Sequence, residues 1–290
     1  MNEYPEGETM TDTIEIIGKN SLVQHGKLNN RVYLMKLDKS DFPGVLEEIE
    51  HLAGQNDYTK IFCKVPAWTA PVLFSKGYMM EAFIPGFYNN RESLFFMSKF
   101  LSSDRLLEIE TEKMEALSRL FFGRPGKMAE ATGLKPGDTL RLLTINDADE
   151  IVKIYQKVFF SYPFPIQDSE YIRKTMRSHV RYFGIERKGR LVALSSAEID
   201  KSGANAEMTD FATLPDYRGG KRSVVLLEAM EKKMKEMGIL TLYTIARLNS
   251  IAMNKTFLRQ GYRYSGTLIK NTNIAGKIES MNVLYKKLAI

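Results

Sequence analysis

The sequence predicts an α/β (α+β) fold: a mixed-sheet domain in the C-terminal half, preceded by a reduced copy of the same order of elements. Three observations predict it. First, from Glu207 to Gly238 a β-prone stretch ends at Leu214-Pro215, a turn rich in glycine and arginine follows, and Val224, Leu227, Met230 and Met234 then recur at helical spacing. Second, strand, helix and strand signals follow again before the C-terminus. Third, the same order can be read in the first hundred residues. With 290 residues and 44% hydrophobic content, the chain is long enough for two ordinary domains.

Taken in order, residues 1–20 read as a loosely held arm and 26–37 as a turn entering a strand. Residues 42–53 read as a helix, with Ser40 or Asp41 as its N-cap and Val45, Leu46, Ile49 and Leu52 on its buried face. A strand at 59–65, a short helix at 68–76, a turn at Gly77-Tyr78 and strands at 79–87 and 94–100 complete the first half. A helix over 103–120 leads to a Gly- and Pro-rich linker at 123–138. The expected division is therefore 1–103, a connecting helix and linker at 104–138, and a domain at 139–290.

In that last domain, 140–143 is a strand, Asp147 caps a helix to about Phe160, and Asp168 or Ser169 caps another to Arg177. Between them FFSYPFPIQ, including Tyr162 and Phe164, is a stiff apolar connection. Strands at 181–186 and 190–199 form a hairpin around Lys188-Gly189 and lead to the central strand. Past the helix, LTLYTIARLNS is a strand, 252–260 a short helix, and Gly261-Tyr262 opens another strand.

The two halves match below the level of element order. Setting TKIFCKVPAWTAPVLFSKGY against YTIARLNSIAMNKTFLRQGY aligns Gly77-Tyr78 with Gly261-Tyr262, and SLFFMSKFL falls on SMNVLYKKL. The first copy is degenerate: its strand-to-helix turn, Asp38-Lys39-Ser40-Asp41, lacks glycine and is acidic.

The turn at Arg218, Gly219, Gly220, Lys221, Arg222 and Ser223 joins three features that favour an anion: unpaired N–H groups at a helix start, the positive end of the helix dipole, and three cationic side chains. A pyrophosphate suits it. Net charge is +6, but the densest basic stretches are this loop and a mixed-charge helix face at Lys232-Lys233, so no nucleic-acid partner is expected. There is no apolar run of 18 residues, and residues 1–12 are acidic and polar, so a soluble, cytoplasmic protein without a membrane partner is expected. A single cysteine, Cys63, among Ile61, Phe62 and Val65, reads as core; with three scattered histidines it predicts no metal. The sequence leaves a homodimer open.

Taken together, the strand ending in Pro215, the loop at Arg218, Asn249 with Ala252, and Gly261-Tyr262 resemble the GCN5-related N-acetyltransferase family. Lys221 stands where that family has its first loop glycine, and Ser223 where it has Gly or Ala. The resemblance implies acetyl-CoA as co-substrate, held by Phe211, Ala212 and Thr213, by the loop 218–223 and by Asn249. It implies a general base, with Glu207 favoured over Asp210. Regular strand alternation puts these two on opposite faces, so only a bulge would bring them together. Phe257 occupies the position of the usual phenolic acid, leaving Tyr262, Tyr264 or solvent to protonate the leaving thiolate. TDFATLPDYRG, YTIAR, NTNI, ESMNV, QHGKLN and IPGFYN narrow the resemblance to family members that acetylate a small diamino acid, beta-lysine. On that reading Tyr162, Phe164, Asp210, Arg247, Asn271 and Asn273 would contact the amine substrate, with Arg247 facing its carboxylate. The departures at Lys221 and Phe257 keep open a non-catalytic acyl-CoA sensor, and another small amine or a macromolecule stays open as acceptor.

Overall fold

The computed structural model describes residues 12–107, 110–122, 133–159, 162–274 and 276–289. The N-terminal half contains β1 (Thr13–Ile17), β2 (Ser21–Gly26), β3 (Arg31–Lys36), α1 (Val45–Gln55), β4 (Lys60–Pro66), α2 (Ala70–Ser75), β5 (Met79–Tyr88) and β6 (Glu92–Phe100). Helices α3 (Ser103–Leu106) and α4 (Thr111–Phe122) connect it to the second half. There follow β7 (Asp138–Leu142), α5 (Ala148–Val158), α6 (Ser169–Ser178), β8 (Val180–Arg187), β9 (Arg190–Asp200) and β10 (Asn205–Thr213). The chain ends with α7 (Arg222–Glu236), β11 (Thr241–Arg247), α8 (Ile251–Arg259), β12 (Arg263–Ile274) and β13 (Lys277–Lys287).

All these strands join one sheet, in the order β1-β2-β3-β4-β6-β5-β12-β13-β11-β10-β9-β8-β7. Read outward from the β5–β12 pair, the two halves follow the same path, with β7 added at one edge. Local geometry repeats as well. Gly77 and Gly261 both close a helix at positive φ, +81° and +83°. The following tyrosines donate to equivalent carbonyls, Tyr78 to Leu73 and Tyr262 to Phe257, at 3.0 and 3.1 Å. The internal repeat read from the sequence is therefore present in the topology. Its acidic turn is committed elsewhere: Asp38 caps the turn at Lys39–Asp41, and the Asp41 carboxylate accepts from the Lys19, Asn20 and Ser21 amides. Those amide bonds, led by Lys19, hold the Asp41 carboxyl down to about 2.

Several local expectations are corrected. Residues 13–17 of the expected arm pair with β2, α1 begins at Val45, and Asp41 braces a neighbouring turn rather than capping that helix. The helix expected over 103–120 is two helices, and most of the Gly/Pro linker lies outside the described residues. At the start of α5, Thr144 and Asp147 form a capping box, whereas Asp168 caps α6 as expected. Cys63 is fully buried. Among the described residues no helix is long and apolar enough to cross a membrane.

Each half buries one sheet face under helices. Val32, Leu34, Ile61, Cys63 and Val65 pack under α1 and α2, and Ala206, Met208, Leu242 and Ala246 under α7 and α8. The opposite faces of the two halves meet each other: Tyr33, Phe62 and Phe87 share a core with Tyr243, Met281 and Val283. In a flat sheet β4 and β11 would be about 24 Å apart at the usual strand spacing. Yet Lys64 Nζ on β4 lies 3.3 Å from the Tyr243 hydroxyl on β11, so the sheet folds back on itself.

The fold line is the junction of β5 and β12. Gly266 lies against Ala82 so closely that a Cβ on it would be 2.0 Å from the Glu81 carbonyl oxygen. Just beyond, a bulge in β12 presents successive carbonyls to three buried cations of the first half and the connecting α3: Ile269 to Lys60 at 2.8 Å, Lys270 to Arg105 at 2.6 Å, and Asn271 to Arg31. Burial lowers Lys60 to about 8, Arg105 to about 9 and Arg31 to about 10. Glu81 answers them by accepting from Lys60 Nζ at 2.8 Å, from the Ile269 amide at 2.6 Å and from Ser98. Removing one member of a buried pair leaves a charge without compensation. Glu81→Ala is therefore expected to cost about 3–5 kcal/mol in urea denaturation; a loss below about 1 kcal/mol would show that this junction does not hold the halves together.

Candidate active site

The site begins with a break in β10. This strand pairs with β9 as far as Thr209, slips, and resumes with Ala212 opposite Leu194. Asp210 occupies the bulge at φ +55°, a left-handed conformation that Asp accepts more readily than most residues. On its other edge β10 pairs with β11 only from Asn205 to Glu207. Beyond Glu207 the two strands part; among the described residues Phe211 and Thr213 have no strand partner on that edge, and the Thr213 carbonyl accepts from Arg218 Nε at 3.3 Å. Unpaired strand edges accept an extended amide-bearing chain as an added strand.

The bulge also decides which way the carboxylates point. Glu207 is in register with Glu198 on β9, on the face opposite α7. Alternation would send Asp210 to the α7 side, but the extra residue turns it back. There it accepts hydrogen bonds from Ser196 Oγ at 2.5 Å, Thr209 Oγ1 at 3.3 Å and the Tyr162 hydroxyl. Glu198, Glu207 and Asp210 thus share one face.

All three carboxyls are pushed up, first by burial. Glu198 is raised further by the charges of Glu207 and Asp210. Glu207 is partly restored by the charge of Lys64 and by the Tyr243 phenol. Asp210 is restored by its bonds from Ser196 and Tyr162. Burial and mutual repulsion make such a cluster favour an entering cation, and a raised carboxyl is suited to take a proton from an ammonium. The walls are aromatic: Tyr162 and Phe164 from the α5–α6 connection, and Tyr33 from β3 in the other half. Gln24 on β2 donates to the Pro163 carbonyl at 2.7 Å, tying that connection to the first half.

At the far end of β10 the Arg218–Ser223 loop turns sharply into α7. Gly219 and Lys221 adopt positive φ, +75° and +57°. Among the described residues no main-chain carbonyl accepts from the amides of Lys221, Arg222 or Ser223. Arg218 is exposed, and beside it a cleft of about 540 Å³ is lined by Lys135, Arg187, Lys188 and Arg190. These cations come from the β8–β9 hairpin and the segment before β7, so no local motif announced them. The residues present fit an acyl-CoA: free edge amides, a helix N-terminus and cations in line. Among the described residues no three metal-ligating side chains cluster.

Five sequence assignments are corrected. The Arg222 side chain is buried against Asp138 at 2.8 Å and donates to the Tyr217 carbonyl at 2.6 Å, so it braces the loop and only its amide is free for an anion. Arg247 is held by both oxygens of Glu279, at 2.7 and 2.9 Å, and is not free for a substrate carboxylate. Asn271 and Asn273 lie at the junction of the halves, where the Asn273 side chain donates to Leu28. Through the register, Glu207 stands level with Tyr243 and Tyr285, whereas Thr272, next to Asn271, stands opposite Glu279, six residues or about 20 Å further along β13. Tyr262 is buried beside Glu231 of α7, which drives its phenol well above the ordinary range. Phe257 meets Phe211 edge-on at 5.6 Å, and Asn249 accepts from Lys113 of α4 at 2.8 Å. Glu198 was visible on the neighbouring strand, but nothing local marked Lys64 or Tyr243.

A family model described as the acetyltransferase (GNAT) family matches residues 148–262. The chain is also 39% identical over 277 residues to a beta-lysine N(6)-acetyltransferase of Methanococcus maripaludis, covering 96% of this chain and 99% of that one. This chain belongs to the GNAT acetyltransferase family. A second beta-lysine N(6)-acetyltransferase, from Methanosarcina mazei, is 31% identical over 86% of this chain and 100% of its own. The N-acetyltransferase YodP of Bacillus subtilis is 30% identical over 96% of this chain and 100% of its own. The likeness runs through both halves, and the protein is an N-acetyltransferase with the GNAT fold.

The raised Glu198 carboxyl makes a stability prediction. The native protein holds that proton to a higher pH than the unfolded chain does, so stability falls as pH rises above the ordinary carboxylate range. Glu198→Gln removes the fall. Its melting temperature should match the parent near about pH 5 and exceed it by a few degrees near about pH 9; a constant difference would contradict the assignment.

Proposed function

We propose that this GNAT enzyme transfers the acetyl group of acetyl-CoA to the terminal (N6) amine of beta-lysine, giving N6-acetyl-beta-lysine. The observation that carries the reading is the trio Glu198, Glu207 and Asp210 beside the gap between β10 and β11, a suitable receptor for a substrate with two ammonium groups. Relatives named for this substrate span nearly the whole chain, including the half outside the family model. One extended binding track supports a single acetyl-CoA per chain, because the first half's equivalent turn is acidic and spent on its own amides.

Bound acetyl-CoA supplies the acetyl group as a reactive thioester. Phe211 to Thr213 offer edge amides to the extended arm, and an amide of that stretch donates to the oxygen that gains negative charge. Arg218 and the α7 amides take the pyrophosphate. An alkyl ammonium has a pKa near 10.4, so presenting it as free amine at pH 7 costs about 4.6 kcal/mol. Glu207, raised by burial and lowered in part by Lys64 and the Tyr243 phenol, accepts that proton directly or through one water. Asp210, fixed by Ser196 and Tyr162, positions the amine. The product is a compatible solute on this reading.

Glu207→Gln should lower kcat/KM about 10²–10⁴-fold near neutral pH, with partial recovery at higher pH as free amine forms unaided. Full activity with an unchanged pH profile would transfer the role to Asp210. Arg218→Ala should raise the Kd for CoA about tenfold in calorimetry. Arg222→Ala should act on stability instead. The acceptor itself is tested by comparing beta-lysine with alpha-lysine. The inner amine of the wrong isomer strands a buried polar partner, so a preference of about ten- to a hundredfold for beta-lysine is expected. Equal constants, or activity on peptides alone, would refute the substrate.

A further inference from the structure

The acceptor proposed above carries a carboxylate, and the residue expected to meet it, Arg247, is engaged by Glu279. The other buried cations are engaged as well: Lys60 by Glu81, Arg31 and Arg105 by main-chain carbonyls, and Arg222 by Asp138. Lys64 differs. It stands on β4 of the N-terminal half, two residues from Phe62, so alternation sends its side chain away from α1 and α2 and toward the C-terminal half. Its ammonium is half-buried, 3.3 Å from the Tyr243 hydroxyl and 5.7 Å from the centre of that ring. Among the described residues no carboxylate lies within ion-pair distance of it. An ammonium has three donors, and a phenol uses one.

The position of Lys64 relative to the carboxylates is what makes it a specificity element. Tyr243 stands in register with Glu207, whose charged form its phenol favours, and its hydroxyl accepts from Lys64. Lys64 is the cation whose charge Glu198 and Glu207 both feel. The site therefore offers three acidic groups on the C-terminal half and, across the fold of the sheet, one ammonium with free donors. An amino acid with two amines and one carboxylate presents the complementary set.

We propose that Lys64 of the N-terminal half binds the carboxylate of the acceptor, so that the first half, which has no phosphate loop, selects an amino acid over a bare diamine. This rests on the reading of the acceptor as beta-lysine, and the test separates the two. Full-length parent, Lys64→Met and Lys64→Arg are assayed with acetyl-CoA and either beta-lysine or 1,4-diaminopentane, the same chain without its carboxylate. In Lys64→Met the ratio of kcat/KM for beta-lysine over the diamine should fall at least about tenfold, chiefly through KM for beta-lysine. Lys64→Arg, which keeps the charge, should retain part of the ratio. A merely structural lysine would depress both acceptors together and leave the ratio unchanged, which would overturn the proposal. If the parent ignores beta-lysine but acetylates another amino acid, the substrate reading fails, and the same ratio for that acid and its decarboxylated amine decides the role of Lys64. A parent that favours amines without a carboxylate overturns both.

Discussion

The left-handed turn of the backbone at Asp210 is the constraint on which the site depends. Without the bulge, Asp210 would face the helices, β10 would keep its register with β9, and Glu207 would have Glu198 alone beside it. The bulge is held by bonds that only this arrangement allows, from Ser196 on β9, Tyr162 in the α5–α6 connection and Thr209 next to it. Close by, β10 loses β11 as a partner, so one irregular stretch supplies both the cluster of carboxylates and an open strand edge. Backbone strain of this kind persists where the surroundings over-determine it, and it concentrates at functional sites.

The N-terminal half gives the carboxylates their environment. Its junction with the second half at Ala82 and Gly266 of β5 and β12 folds the sheet so that the helix-free faces of the two halves enclose the region around Glu207. Desolvation there raises the carboxyls, and a base raised toward neutrality transfers protons more effectively than an exposed glutamate would. The fold line is itself polar, made from Lys60, Arg31 and Arg105 against the β12 bulge with Glu81 between them. On the function proposed above, the first half, whose equivalent turn is acidic, forms a wall of the site. We take the functional division of the chain to be this one: a cofactor-binding half from about residue 139 and a half up to residue 103 that completes the acceptor side.

Much of this could be read from the sequence, because strand alternation, helix spacing and turn chemistry are local. The order of elements, the Arg218 loop and the repeat at Gly77 and Gly261 all follow from such signals. The bulge was recognised only as a condition for joining Glu207 and Asp210, since no residue pattern compels a left-handed aspartate. Contacts made by folding the sheet were not legible. Arg247 looked free because its partner, Glu279, lies 32 residues on, and Lys64 looked ordinary because Tyr243 is 179 residues away. The Tyr262 side chain, next to Gly261 in the sequence, is buried against Glu231 of α7, a packing that no local signal announces.

The account's central claim is that the acceptor is held between the two halves rather than within the family domain alone. Hydrogen–deuterium exchange on the full chain with CoA, with and without saturating beta-lysine, tests it directly. The account predicts that beta-lysine adds protection on β4, around Lys60–Pro66, together with β9 and β10 around Glu198 and Asp210. Protection confined to the segment 148–262, with β4 unchanged, would contradict it.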